Sequence, residues 1–162
     1  MDAQQALRNC LDAYLHLKRE MCEVNHCPFD CIMLAEVHWP ERIAVAPVER
    51  RENLGPIAAA AKAGGARWVL LACEAHVKEA TLAEALASQS GDVRRAAEAG
   101  DLSVMEWIVV QGFDSDGLPM LPILTVDVGY DDDGQPTFGE VVERQHSQVG
   151  SGIEMLMREA MR

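Results

Sequence analysis

Leu7, Cys10, Leu11, Tyr14, Leu17 and Met21 recur at the three-to-four-residue spacing of one helix face, and Lys18 falls on the same stripe. Asp2, three residues before Gln5, reads as a capping box that starts this helix. Its end is expected near Asn25 and His26, because Pro28 disfavours helical backbone at Cys27 and supplies no amide donor itself. The short apolar runs C-I-M-L-A-E-V from Cys31 and Arg42 to Val48 flank H-W-P-E and predict a hairpin. Gly55-Pro56 and Gly64-Gly65 bracket an alanine-rich helix, proline inside the start and glycine past the end. Trp68 to His76 is apolar on both alternating faces until its far end, as an interior strand requires.

Residues 77 to 100 read as two helical pieces broken around Ser90-Gly91. After Asp101, three strand patterns are separated by Asp-Gly turns at Asp114 to Gly117 and Asp131 to Gly134, which predicts an antiparallel meander. Pro119 and Pro122 place an edge or a bulge in its middle strand, since proline cannot donate to a ladder. Ser151 with Glu154 caps a final helix whose Met155, Met157 and Met161 suit core packing and a dimer contact. The elements predict one α+β domain over residues 1–162: a mixed, largely antiparallel sheet of about five or six strands, with helices packed mainly on one face.

Size and composition fit that picture. A chain of 162 residues with 49% hydrophobic side chains can bury a core without cross-links, and no apolar run approaches the roughly 20 residues needed to cross a bilayer. The opening M-D-A-Q-Q lacks the basic and apolar character of a secretory leader, and five cysteines cannot all pair within one chain. Reduced thiols and a cytoplasmic location are the expectation. The net charge of -12 repels phosphate backbones, so nucleic acid is not an expected ligand. The acidic residues are spread from Asp2 to Glu159, as on a solvated surface; an acidic inhibitor imitating nucleic acid is a minor alternative.

Three constellations carry candidate chemistry. The first is C-E-V-N-H-C-P-F-D-C, where Cys22, His26, Cys27 and Cys31 could supply thiolates and an imidazole to zinc. Its C-x4-C-x3-C spacing lacks the paired C-x2-C delivery of a zinc clasp, and buried thiols at a helix-to-strand junction are favoured over metal or redox use. The second is Glu36 with His38 and Glu74 with His76, each a Glu-x-His at the end of an apolar strand. Residues i and i+2 of a strand share a face, so each pair presents a carboxylate and an imidazole together. If the two strands were parallel neighbours, the four groups would converge at one sheet end and could bind a divalent metal or act as a base with its orienting partner. The competing reading is that apolar strands simply finish in polar residues where they meet solvent. Cys73 should point away from Glu74 by alternation, which makes a Cys73–His76 dyad unfavourable.

The third is Gly129 to Glu140. Asp131, Asp133, Gly134 and Glu140 match part of a calcium-loop pattern, but Gly129 occupies the first position and strands flank it, so an acidic hairpin turn is expected. No dinucleotide fingerprint, P-loop, nucleophile elbow or H-E-x-x-H occurs. Trp39, Trp68 and Trp107 fall in no basic patch and read as core or interface aromatics. The sequence therefore favours a non-enzymatic module working through protein contacts, as a homodimer, without a resident cofactor. The alternative is a metal-assisted enzyme or small-molecule binder using Glu36, His38, Glu74 and His76.

Overall fold

The computed structural model describes residues 2–24, 31–36, 43–48, 50–89, 91–145 and 152–162. Helix α1 (Ala3–Val24) starts as expected, with the Gln5 amide donating to Asp2 Oδ1 at 2.8 Å. Strands β1 (Cys31–Glu36) and β2 (Ile43–Val48) form the expected hairpin, in antiparallel register from Cys31↔Val48 to Glu36↔Ile43. A single 3-10 turn at Arg51–Asn53 leads into α2 (Leu54–Ala63), and β3 (Trp68–Val77) follows. Two short helices, α3 (Leu82–Ala87) and α4 (Asp92–Glu98), connect to the meander β4 (Met105–Asp114), β5 (Pro119–Tyr130) and β6 (Pro136–Arg144), and α5 (Gly152–Ala160) comes last.

The six strands form one sheet in the order β2-β1-β3-β4-β5-β6. The α+β class is as expected, with two refinements. All five strand pairings are antiparallel, and helices flank both faces of the sheet instead of lying mainly on one. Strand alternation explains the second point. Leu70, Ala72, Ile108, Val110, Leu124 and Val126 pack against Leu7, Cys10, Leu11 and Tyr14 of α1. Their neighbours Val69, Leu71 and Phe113 point the other way, onto Leu54 and Ala58 of α2 and Met157 and Met161 of α5. A sheet whose central strands are apolar on both sides needs a cover on each.

Met157 and Met161 are fully buried, which bears out core packing for these two methionines. The side chain of Met155, like Ser151 and the Glu154 side chain, lies outside the described residues. Pro119 and Pro122 sit where β5 is irregular: the ladder jumps from Val110↔Leu124 to Gly112↔Met120. Among the described residues, pairing with β6 begins at Ile123, past both prolines.

The two Asp-x-Asp-Gly turns are built alike. In each, the carboxylate of the first aspartate accepts amides two and four residues on: Asp114 Oδ1 from Asp116 and Leu118 at 2.9 and 3.0 Å, Asp131 Oδ1 from Asp133 and Gln135 at 3.0 and 2.9 Å. Gly117 and Gly134 take φ of 75° and 77°, the left-handed region that glycine enters without strain. The acidic-turn reading of Asp131 to Gly134 thus holds, with the Asp131 carboxylate occupied in organising its own backbone.

Candidate functional site

The α1 stripe that packs on the sheet does not end in an apolar residue. One turn past Tyr14, Lys18 occupies the sheet-facing position and is 9% exposed. A buried ammonium requires counter-charge, and the two central strands supply it from their inward positions. Lys18 Nζ donates to Glu74 Oε1 of β3 at 2.5 Å and to Glu106 Oε1 of β4 at 3.4 Å. Tyr130, the last residue of β5, donates its phenol proton to Glu106, with Oη 2.9 and 3.1 Å from the two carboxylate oxygens, and its ring lies 5.6 Å below the ammonium. Four elements therefore meet in one polar knot that closes the end of the α1 layer.

Burial alone would lower the Lys18 pKa, but the hydrogen bond and charge of Glu74, with the charges of Tyr130 and Glu106, outweigh it and hold the ammonium above the usual lysine range. Burial, then the Glu106 hydrogen bond and charge, raise the Tyr130 phenol. Lys18 is thus no nucleophile at neutral pH, since a nucleophilic lysine needs a lowered pKa. Because the folded pKa of Lys18 lies above the ~10.4 of an unfolded chain, its stabilisation is complete below that pH and is lost as pH rises through the folded value. Urea midpoints taken from neutral pH upward should fall more steeply above about pH 10 for the wild type than for Lys18→Met. Parallel curves would show that Lys18 does not titrate through this knot.

The sequence-predicted residues distribute as follows. Glu74 is in the knot, and His76, two residues on and exposed, lies opposite Glu106 in the β3/β4 ladder. Glu36 closes β1 at the other end: Ala35 pairs with Val69, and Cys31 with Cys73. The parallel pairing on which convergence depended is replaced by an antiparallel one, which separates the Glu36 and Glu74 backbones by roughly 20 Å at ~3.3 Å per residue. The reason is topological. Strand β2 runs against β1, and α2 carries the chain over the sheet so that β3 runs with β2, and so against β1. His38, His26 and Cys27 lie outside the described residues, as do the side chains of Glu36, Cys22 and Cys31. Among the described residues, no three histidine, cysteine, aspartate or glutamate side chains are grouped to hold a metal ion.

Sequence reasoning missed Glu106 and Tyr130, and treated Lys18 as one more member of the stripe. A charged residue in an apolar stripe was the available signal, because it demands a carboxylate somewhere on the facing sheet.

The opposite face of the sheet holds a second polar feature. The Arg144 guanidinium stacks 4.1 Å from the Trp107 ring centroid, and its Nε donates to Thr125 Oγ1 at 2.9 Å. Trp107 Nε1 is buried with no hydrogen-bond partner among the described residues. Trp68 and Trp107 are both core residues, as read from the sequence, while Trp39 is outside the described residues. Cys10 is buried on the sheet-facing side of α1, and desolvation, reinforced by Cys73, pushes its thiol up to about 12. That suppresses thiolate chemistry at Cys10.

Compared with known protein families, with curated proteins and with solved structures, the chain matches none of them. Among the described residues, no helix is long and apolar enough to cross a membrane.

Proposed function

We propose that this chain is a non-enzymatic, cytoplasmic protein-interaction module that works as a homodimer. The observation that carries the reading is strand β6. Among the described strands it lies outermost, beyond β5, and every residue from Gly139 to Glu143 is exposed, including Val141 and Val142 at 42% and 41%. A strand with a ladder on one side leaves a row of backbone donors and acceptors open to another chain. Apolar side chains exposed along that row add contact area to backbone pairing.

A catalytic reading draws less support. Among the described residues the most buried charged group, Lys18, is held as an ammonium by two carboxylates, and the backbones of Glu36 and Glu74 sit at opposite ends of the β1/β3 ladder. The homodimer is tested by the molar mass of untagged protein in light scattering coupled to gel filtration. A mass that rises toward twice 17.8 kDa with loading concentration is the expected result. A constant 17.8 kDa across the micromolar range would remove the homodimer.

A further inference from the structure

Cys10 and Cys73 lie on opposite faces of the sheet. Cys10, on the sheet-facing side of α1, clusters with Leu70 and Ala72, whereas Cys73 packs at the rim of the cluster that holds Met33, Leu71 and Phe113. Directly across the β1/β3 ladder from Cys73 stands Cys31. Opposed residues of an antiparallel ladder share a face, and Met33, two positions along β1, lies in the same cluster as its own ladder partner Leu71. We infer that Cys31 and Cys73 form a redox site, a dithiol that a peroxide converts into a cross-strand disulfide, latching the β1–β2 hairpin onto β3.

The register places the two residues within reach of one another. Opposed α-carbons stand about 4.5 or 5.5 Å apart in the two kinds of antiparallel pair, and both values fall inside the roughly 4.4–6.8 Å spanned by disulfides. The bond therefore forms without any change of register. Among the described thiols, Cys73 is the one a small oxidant can reach: it is half-buried, while Cys10 is fully buried with its thiol pushed up to about 12. A peroxide oxidises the first thiol to a sulfenic acid, its O–O bond breaking with release of one water. The opposed thiol then attacks that sulfur and expels a second water, so two thiols and one peroxide give one disulfide and two waters. A dithiol reductant reverses the step by exchange. Transient bonds of this kind are the ones compatible with a reducing compartment.

The position of the pair gives the bond its consequence. Strand β1 meets β3 over five ladder positions, Cys31 to Ala35, whereas β3 meets β4 over ten. The β1–β2 hairpin thus hangs on the shorter ladder, and Cys31–Cys73 is the end pair of it. A covalent bond there closes a loop containing β2 and α2 and stops the ladder from opening at that end. None of this depends on whether the chain is a dimer.

Peptide mapping of the full chain tests the site. Reduced protein, freed of reductant, is treated with a small excess of hydrogen peroxide, alkylated, and digested with trypsin without reduction. Cys73 falls in the peptide Trp68–Lys78, and Cys22, Cys27 and Cys31 fall together in Glu20–Arg42. These two peptides should be found joined, from protein that still runs as a single chain on a non-reducing denaturing gel, and dithiothreitol should separate them. Cys22→Ser/Cys27→Ser should keep the link and Cys31→Ser should lose it. Oxidation should also raise the thermal midpoint of the wild type by about 5–10 °C, and leave that of Cys31→Ser unchanged. Unreacted thiols, a bridge confined to Glu20–Arg42, a bond between chains, or a link that survives Cys31→Ser would each overturn the site. A Cys31–Cys73 bond that leaves the wild-type midpoint where it was would overturn the latch.

Discussion

Gly117→Val should unfold the protein about 10 °C or more below the wild type, while Gly134→Val, at the matching position of the twin turn, should cost only a few degrees. The two glycines share their backbone conformation, with φ of 75° and 77°, so each valine carries the same left-handed strain of about 1–2 kcal/mol. Their surroundings differ. A Cβ at Gly134 meets nothing within 4 Å, whereas one at Gly117 would stand 2.7 Å from the Met157 carbonyl oxygen and 2.8 Å from Arg158 Cα. Both of those atoms belong to the backbone of α5, so relief requires the helix to move off the sheet. That helix carries Met157 and Met161, which are fully buried beside Phe113 and Leu71. Displacing it adds roughly 2–3 kcal/mol of overpacking to the local strain, for a total near ~4 kcal/mol. Thermal unfolding followed by circular dichroism reads the contrast, and equal losses in the two variants would mean that α5 is not seated on the β4–β5 turn.

Lys18→Met should destabilise by about 2 kcal/mol, even though methionine fills much the same space and suits the apolar stripe. The cost arises in what is left behind. Glu74 and Glu106 would remain as two carboxylates on adjacent strands without their shared cation, with side chains 36% and 20% exposed. That partial exposure holds the penalty below the 3–5 kcal/mol of a fully buried broken pair. Removing the orphaned charge should therefore restore part of the loss: Lys18→Met/Glu74→Gln is expected to be more stable than the sum of its single substitutions. The coupling should be larger for Glu74 than for Glu106, since Lys18 lies 2.5 Å from the first and 3.4 Å from the second, and Glu106 keeps the Tyr130 hydroxyl as a donor. Denaturant melts of the four-member cycle measure this, and strict additivity would show that the knot is not one cooperative unit.

Much of the fold was legible along the chain because local rules set it. The capping aspartate, the stripe of α1, the paired Asp-x-Asp-Gly turns and the continuous apolar run of β3 each depend on neighbours within a few residues. What the sequence left open was the direction of β1 against β3. That direction depends on where β2 and α2 carry the chain between them, a choice the periodicity of either strand does not contain. The candidate site divides in the same way. Glu74 was found from its strand end, but its partnership with Lys18 spans 56 residues, and that of Lys18 with Glu106 spans 88. Glu106 is the second residue of β4, ahead of the strand's apolar run, so by pattern it reads as an ordinary polar strand start. The edge character of β6 was hidden for a related reason: alternation identifies a strand but not which of its sides has a neighbour.

Edge pairing is tested most directly by amide hydrogen exchange on the wild-type protein, compared at low and high micromolar concentration. If two copies meet through β6, amides between Gly139 and Arg144 should exchange more slowly at the higher concentration, while those of the Asp131 to Gly134 turn stay unchanged. A mass that doubles with no slowing in β6 would place the contact elsewhere on the molecule and contradict the pairing.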